Sequence, residues 1–280
     1  MNQKVFCFGV GYSGIEFLKH ARAVGYEVSG CVRTQEKADI LNKKYNFNIV
    51  ALDALTLSFF WDVTHILITI PPTLEGYKKY LPFVQESKVL QWCGYISTTG
   101  VYGNTNGDWV DECSIMNPSS RHSQCRVEAE IFWLSVCDKT HIFRLPAIYG
   151  TGRSALDKVM LDGVRAIDEK GQVFNRIHIY DIAQTLIASM KKPNVGRVYN
   201  VVDDFPCSAV EPLHYACDLL GMKRVHVVAL KNANLSPMAQ SFYTDNRRVK
   251  NTRIKRELGV VLKYPTYIEG LNAIFDAGSA

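Results

Sequence analysis

The sequence predicts an α/β fold in which a doubly wound parallel sheet carries a smaller C-terminal cap. Two observations predict it: short apolar runs alternate with helical periods through the first half of the 280-residue chain, and this rhythm ends after Gly150. Such alternation implies a parallel sheet with helices on both faces, and its crossovers should be right-handed. We therefore expect residues 1–150 and 175–202 to form the sheet domain, and residues 151–174 and 203–280 to form the cap.

Seven apolar runs of strand length, rich in β-branched and aromatic residues, are predicted to be strands. Six of them precede the change of rhythm, and the seventh lies within the later part of the sheet domain. In chain order the runs are KVFCFGV, YEVSGCVR, NIVALD, HILITIPP, WCGYIS, HIFRLPAIYG and GRVYNVV.

Helices are predicted where apolar residues recur at helical spacing, as Phe17, Ala21 and Val24 do before Gly25. Beyond residue 203 we expect a mixture of helices and loops. The predicted helices are residues 13–24, 35–45, about 74–86 and 119–137, the segment IHIYDIAQTLIASM after a short strand, and a basic helix, RRVKNTRIKREL, near the end.

The composition excludes several classes of protein. With 47% hydrophobic and 21% charged residues the chain is an ordinary globular protein, and a net charge of +5 is too small to indicate nucleic-acid binding. The eight cysteines form no CxxC pair and no cluster with histidines at metal-ligand spacing, so we expect reduced thiols and no metal. No apolar run approaches the ~18 residues of a membrane helix. A soluble, cytoplasmic protein is expected.

The motif GVGYSG, with Gly9, Gly11 and Gly14, is the strongest functional signal. It follows a predicted strand and opens a predicted helix, which is the setting that dinucleotide binding requires. The first glycine permits a tight turn, the second lets backbone approach a pyrophosphate, and the third lets the helix pack on the strand. The helix start, at Tyr12 and Ser13, offers N–H groups to the phosphates. The alternative is a tight turn without a ligand.

The end of the second strand indicates which dinucleotide is bound. An NAD site usually carries Asp or Glu there, whereas this chain has Arg33 and Thr34. A guanidinium matches a 2′-phosphate with charge-assisted hydrogen bonds, so NADP(H) is favoured and NAD(H) is the alternative. FAD is disfavoured, because flavoproteins generally keep the acid at this place. Arg33 could instead be an ordinary solvated arginine.

Five further motifs occur in a familiar order: YISTTGVYG, DWVDE, RLPAIYG, RIHIYDIAQTL and YNVVDD. Together they make the chain resemble the extended short-chain dehydrogenase/reductase superfamily, which includes NAD(P)-dependent nucleotide-sugar epimerases and dehydratases. The resemblance covers essentially the whole chain and implies a Rossmann-type sheet. It also implies a Ser or Thr that orients the substrate and a Tyr–Lys pair that moves a proton. Thr98 matches the first, but His122 and Arg126 stand at the Tyr and Lys positions, which marks an atypical member.

The replacement changes the chemistry that the predicted pair can perform. Arg126 can hold ribose hydroxyls, but with a pKa above ~12 it cannot relay a proton as a lysine does. His122 starts from a pKa near ~6.5, and a nearby arginine would lower that value and keep the imidazole neutral. A neutral imidazole can accept a proton from a hydroxyl group. The alternative is that both residues lie on a partly exposed helix face without a catalytic role.

The resemblance marks further cofactor positions. Asp53, in LDA after the third strand, matches the family's contact to adenine. Thr69 and Pro71 lie where the fourth strand ends beside the cofactor ribose, and Pro146 matches the segment beside the nicotinamide. Ordinary packing at strand ends is the alternative for each of them.

Three further residues are candidates for substrate binding. Tyr102 follows Thr98 by four positions, and Arg153 and Arg176 flank the first cap segment. The two arginines could clamp an anionic substrate such as a nucleotide diphosphate, although solvated surface positions are the rival explanation.

These observations favour an NAD(P)-binding oxidoreductase or epimerase that acts on a nucleotide-sugar-like or other polyhydroxylated small molecule. The alternative is a catalytically silent regulatory protein that senses NADP(H). The basic RRVKNTRIKRE segment invites a nucleic-acid hypothesis, but it lacks interleaved aromatic residues and is better explained as a solvated helix face. We expect no membrane or nucleic-acid partner, and a monomer or a homodimer.

Overall fold

The structure, a computed structural model, describes residues 3–72, 76–236, 239–240 and 242–278. Thirteen strands lie within these ranges. They are β1 Lys4–Phe8, β2 Glu27–Val32, β3 Asn48–Ala51, β4 His65–Ile68, β5 Trp92–Thr98, β6 Trp109–Val110, β7 Thr140–Leu145, β8 Ala147–Tyr149, β9 Arg165–Asp168, β10 Arg176–His178, β11 Val198–Asn200, β12 His226–Ala229 and β13 Arg248–Val249.

The α-helices that the structure describes are α1 Tyr12–Ala23, α2 Gln35–Tyr45, α3 Leu81–Glu86, α4 Arg121–Val136, α5 Ala155–Val159, α6 Ile179–Lys191, α7 Val210–Leu219 and α8 Tyr267–Gly278. Short 3-10 turns lie at Leu52–Ala54, Leu57–Phe60, Lys78–Tyr80, Thr99–Tyr102 and Leu230–Asn232, and a single π-helical turn lies at Ile254–Leu258.

Seven strands form one parallel sheet in the order β11-β7-β5-β4-β1-β2-β3. β1 pairs with β2 on one side and with β4 on the other, so the chain reverses its direction of winding beside β1. Helices cover both faces: α1 and α6 pack on one, while α3 and α4 pack on the other. The predicted doubly wound, Rossmann-type fold is therefore confirmed, and its crevice lies at the carboxyl ends of β1 and β4.

The strand β1 shows why a continuous apolar run folds here as a buried strand. Val5 and Cys7 enter the core on one face of the sheet, and Phe6 and Phe8 enter the core on the other. Successive side chains of a strand alternate between faces, so a strand with helices on both sides needs apolar residues at every position. Cys7 and Cys31 are buried in these cores.

Three predicted elements are corrected by the structure. The run HIFRLPAIYG divides at Pro146, because β7 stays in the central sheet while β8 leaves it and pairs with β10. A proline has no N–H to donate to a sheet, so the division falls at this residue. The helix expected around residues 74–86 is shorter, with α3 beginning at Leu81. Residues 73–75 lie outside the described part of the chain.

The predicted basic helix RRVKNTRIKREL is wrong. Arg248–Val249 instead forms β13, which pairs with Trp109–Val110, and only residues 252–258 are helical, with the π-helical turn at Ile254–Leu258. The side chain of Asn251 lies between these pieces and donates to the Val202 carbonyl at 2.9 Å and to Asp204 Oδ1 at 2.7 Å. Because these contacts join Asn251 to a segment about fifty positions earlier in the chain, they stabilise an irregular backbone here in place of a solvated helix.

A separate apolar cluster draws on both of the predicted cap segments. It joins α5, α7 and α8 through the buried side chains Leu156, Val159, Cys207, Ala216, Cys217, Tyr267 and Leu271. However, Ile254 and Leu258 pack into the core of the central sheet instead. The domain boundaries therefore stay a prediction.

Candidate functional site

The turn between β1 and α1 requires two of its three glycines for the fold itself. Gly9 has φ +91°, and a Cβ there would lie 2.7 Å from Thr69 Oγ1 and 2.7 Å from Ile70 Cγ1. A Cβ on Gly14 would lie 3.0 Å from the Gly9 carbonyl oxygen and 3.1 Å from Cys7 Sγ. Gly9 therefore permits a left-handed turn, and Gly14 permits α1 to pack against it.

Gly11 is different, because neither its conformation nor its surroundings demand a glycine. Its backbone is extended, with φ −99° and ψ −156°, and a Cβ would meet nothing within 4 Å. Gly11 is the N-cap of α1 and no side chain caps this helix, so the first-turn N–H groups of Tyr12 and Ser13 are left to other acceptors. The open space and these donors fit the phosphates of a dinucleotide.

Thr69 braces this turn from β4. Its hydroxyl donates to the carbonyl oxygens of Phe8, at 3.1 Å, and Gly9, at 2.5 Å. Thr69 therefore lies beside the glycine turn, as expected, but its proton is already committed to the backbone, and only its oxygen lone pairs are available to a ribose hydroxyl. Pro71, two residues further on, is exposed.

The three candidates for the adenine end lie at the carboxyl ends of β2 and β3. Arg33 is exposed, and it makes no side-chain hydrogen bond or ion pair with the residues that the structure describes. Thr34 is the N-cap of α2, and its Oγ1 accepts from the Lys37 N–H at 3.4 Å. Asp53 is exposed on the 3-10 turn that follows β3. Arg33 and Asp53 are therefore accessible to a ligand, whereas the Thr34 side chain already has a structural role.

Thr98 lies at the end of β5 and caps the turn that follows. Its Oγ1 accepts from the Gly100 N–H at 3.1 Å, and the hydroxyl proton is left to donate. Gly100 lies against α4, because a Cβ there would be 2.5 Å from Ser123 Oγ. This close contact brings the first turn of α4, and with it His122, towards the carboxyl end of β5.

His122 and Arg126 lie one turn apart on α4 but in different environments. His122 is exposed, and partial desolvation and then the Arg126 charge lower the pKa of its imidazole. Arg126 is only 8% exposed, and its Nη1 donates to the Ile96 carbonyl at 2.5 Å and to the Tyr95 hydroxyl at 3.4 Å. Its Nε has no hydrogen-bond partner, and no carboxylate pairs with it within the described ranges. A buried cation without a counter-ion is costly, so it is a candidate functional group.

A second buried arginine nearby has a complete set of partners. Arg144 on β7 donates from Nε and Nη2 to both carboxylate oxygens of Glu130, at 2.7 to 3.2 Å, and from Nη1 to the Tyr102 hydroxyl at 2.9 Å. Tyr102 in turn donates to Asn200 Oδ1 at 2.7 Å. This network fixes α4 on β7 and β11, and thereby the position of Arg126.

Tyr102 and Arg176, the other two candidates for substrate binding, both have hydrogen-bond partners within the protein. Tyr102 is 1% exposed and belongs to the buried network, so a substrate could not reach its hydroxyl without a rearrangement. Arg176 donates to the carbonyl oxygens of Phe174 at 2.9 Å and Ser208 at 2.8 Å, and to Cys207 at 3.3 Å. Its guanidinium is therefore occupied with holding the chain around residue 207.

Pro146 and Arg153 lie on either side of β8. Pro146 is half-buried at the carboxyl end of β7. Arg153 is exposed, and its guanidinium carbon lies 5.8 Å from the centre of the Tyr12 ring. The Tyr12 hydroxyl donates to the Thr151 carbonyl at 3.2 Å. Arg153 therefore lies beside the glycine turn.

The structure adds one residue that the sequence analysis missed. Asp203 is 3% exposed, burial raises its pKa to about 8, and its Oδ2 has no partner within the described part of the chain. It lines a cavity of about 300 Å³ with Trp109, Asp204 and Asn251 among its neighbours. The signal was present in YNVVDD, where two acids directly follow a buried strand.

No family model matches the sequence. The curated protein YeeZ of Escherichia coli strain K12 is 24% identical over 94% of this chain and 97% of its own. Among solved structures, a conserved protein of Silicibacter pomeroyi DSS, described as functionally unknown, is 37% identical over 99% of both chains, with a TM-score of 0.90.

More distant structures show the fold. The dTDP-glucose 4,6-dehydratase of Bacillus anthracis, solved in complex with NAD, is 17% identical over 98% of this chain and 96% of its own, with a TM-score of 0.78. The UDP-N-acetylglucosamine 4-epimerase of Bacillus cereus is 12% identical over 100% of both chains, with a TM-score of 0.77.

The chain thus has the fold of the extended short-chain dehydrogenase/reductases, the group of NAD-dependent epimerases and dehydratases, and the predicted resemblance is confirmed at that level. It belongs to the same family as the Silicibacter pomeroyi protein. No described helix is both long and apolar enough to span a bilayer. Within the same ranges, no group of three or more histidine, cysteine or acidic side chains is placed to hold a metal ion.

The raised pKa of Asp203 predicts how stability depends on pH. Between the ordinary pKa of an aspartate and about 8, the folded protein holds a proton that the unfolded chain has released, so the free energy of unfolding falls as pH rises. The free energy of unfolding of the wild type, measured relative to that of Asp203→Asn by urea denaturation between pH 5.5 and 7.5, should fall by up to about 1.4 kcal/mol per pH unit.

The matched control is Asp168→Asn, which removes an exposed carboxylate from β9 and should follow the wild type. Equal slopes for Asp203→Asn and the wild type would show that Asp203 is ionised in the folded protein.

Proposed function

We propose that the protein is an NADP(H)-preferring oxidoreductase or epimerase that acts on a polyhydroxylated small molecule such as a nucleotide sugar. The observation that carries the proposal is the open space at Gly11. Packing and conformation explain Gly9 and Gly14, whereas neither requires a glycine at Gly11, which stands at the N-cap of α1 where the second glycine of the motif lets backbone approach a pyrophosphate. NAD in a dehydratase of the same fold supports the assignment of that ligand to the dinucleotides.

Arg33 supports the preference for NADP(H). It stands at the end of β2, where NAD-binding proteins of this fold usually carry an acid that accepts from the ribose 2′-hydroxyl. Its guanidinium is exposed and without an acidic partner among the described residues, so it is available to pair with a 2′-phosphate.

The bound cofactor would supply a nicotinamide ring that exchanges a hydride with the substrate. Around it, Thr98 would orient the substrate oxygen with its remaining proton, and His122 would accept the proton of a substrate hydroxyl. The lowered pKa of His122 supports this role, because the imidazole is then neutral at physiological pH. Arg126 would hold the hydroxyls of the nicotinamide ribose and add positive charge.

The environment of Arg126 also favours a second candidate, a regulatory protein that binds NADP(H) without turnover. Arginine cannot release a proton to relay, and its Nη1 donates inward to Ile96 and Tyr95. Such a protein would bind the oxidised and reduced cofactors with different affinities and would convert no substrate. Either protein would work in the cytoplasm on small molecules, as a monomer or a homodimer, with residues 151–174 and 203–280 as its cap.

Calorimetric titration of the wild type and Arg33→Ala with NADPH and NADH tests three points: whether a dinucleotide binds, whether NADPH is preferred over NADH, and whether Arg33 sets that preference. We expect the wild type to bind NADPH more tightly, and Arg33→Ala to lose about ten- to a hundredfold in NADPH affinity, because one charge-assisted contact is worth about 1.5–3 kcal/mol. Its NADH affinity should stay within about twofold. The exposed Arg121 on α4 offers the control variant Arg121→Ala. An equal loss for both cofactors would place Arg33 away from the 2′-phosphate.

His122→Ala separates an enzyme from a regulatory protein. If His122 accepts the proton, turnover of nucleotide sugars and ketones should fall by a factor of about 10² or more, since general bases contribute about 10²–10⁴. NADPH affinity should be nearly unchanged. The exposed Gln124 on the same helix provides the control variant, Gln124→Ala.

An unaffected rate in His122→Ala would remove this residue from the mechanism. If the wild type turns over no member of a broad panel, but its affinities for NADP and NADPH differ, the regulatory alternative is supported instead.

A further inference from the structure

The turn from Gly150 to Arg153 is held against the first residue of α1. Two backbone hydrogen bonds close this turn. The Gly150 N–H donates to the Arg153 carbonyl at 3.3 Å, and the Arg153 N–H donates to the Gly150 carbonyl at 3.0 Å. Tyr12 anchors it, because its hydroxyl donates to the Thr151 carbonyl and would lie 2.5 Å from a Cβ on Gly150. A turn of the chain after β8 is therefore fixed to the helix that begins at the glycine turn.

The Arg153 side chain is held by the same tyrosine. Its guanidinium carbon lies 5.8 Å from the centre of the Tyr12 ring, within the range of a cation–π contact. This contact places the guanidinium without using any of its N–H groups, and the side chain makes no hydrogen bond or ion pair with a described residue. Five donors thus remain for a ligand.

Two further cations, Lys158 and Arg176, lie in the neighbourhood of Arg153. The neighbouring Lys158, on α5, has its pKa lowered by burial and then by the charges of Arg176 and Arg153, so both arginines lie within electrostatic reach of Lys158. The carboxylates of Glu16 and Asp157 lie within reach of the Tyr12 hydroxyl on the same side. Neither Arg153 nor Lys158 pairs with a carboxylate in the described part of the chain, and Arg176 bonds to carbonyl oxygens. Like charges gathered in this way are stabilised when a bound anion lies among them.

We propose that Arg153 is a cofactor-binding residue, whose guanidinium pairs with the diphosphate of the dinucleotide opposite the N–H groups of α1. The proposal rests on the function proposed above and changes the expected role of Arg153 from the substrate to the cofactor. Tyr12 connects the helix start and the arginine. Its backbone N–H is one of the first-turn N–H groups of α1, and its ring makes the cation–π contact with the Arg153 guanidinium. The turn after β8 thereby contributes directly to cofactor affinity.

Cofactor fragments test this role, because some contain the diphosphate and others do not. Wild type, Arg153→Ala and the control Arg165→Ala, which removes an exposed arginine from β9, are each titrated calorimetrically. The ligands are NADPH, 2′-phospho-ADP-ribose and adenosine 2′-monophosphate. We expect Arg153→Ala to lose about tenfold in affinity for the first two, or about 1.4 kcal/mol, and nothing for the third. Arg165→Ala should match the wild type throughout.

The outcomes distinguish this proposal from the function on which it rests. If the wild type binds none of the three ligands, the proposed function fails and this inference fails with it. If the wild type binds NADPH and Arg153→Ala binds it equally well, only the role of Arg153 is overturned. A loss that extends equally to adenosine 2′-monophosphate would also overturn it, because that ligand carries no diphosphate. Equal thermal unfolding of the variants confirms that they fold.

Discussion

The close approach of α1 to the end of β1 is the constraint on which the site depends. The helix can begin directly after the strand only because Gly9 adopts a positive φ and Gly14 has no Cβ to collide with the Gly9 carbonyl oxygen. The Thr69 hydroxyl then ties the turn to β4. As a result, the positive end of the helix lies at the crevice between β1 and β4, where the winding of the sheet reverses. The candidate cofactor residues at Arg33, Asp53 and Arg153 lie around this point.

The two buried arginines show how the same side chain can serve the fold or a site. Arg144 is neutralised by Glu130 and bonded to Tyr102, so its charge is fully compensated within the protein. Arg126, one turn before Glu130 on α4, is buried without a carboxylate among the described residues. Breaking a buried ion pair is costly because it leaves a charge uncompensated, so Arg126 persists at a cost that the fold alone does not explain. A hydrogen-bond acceptor on a bound ligand would offset part of this cost.

The features that the sequence predicted are those that depend on residues close together in the chain. The buried strands, the first helices and the glycine turn follow from local patterns, and all of them appear in the structure. The sequence did not predict the pairing of β6 with β13, because these two-residue strands lie far apart in the chain and carry no pattern of their own. The burial of Tyr102 and the carbonyl partners of Arg176 likewise depend on remote segments. Arg153 was recognised as a candidate, but its contact with Tyr12 joins residues that only folding brings together.

The central claim is that the glycine turn binds the diphosphate of a dinucleotide, and Gly11→Ala tests it most directly. Because its Cβ would meet nothing, the variant should unfold at nearly the same temperature as the wild type. Titration with NADPH should nevertheless show at least a tenfold loss of affinity, since the methyl group occupies space that the ligand needs. Gly278→Ala, a substitution in equally open space on α8, should bind NADPH as the wild type does. A stable Gly11→Ala variant with undiminished NADPH affinity would contradict the account.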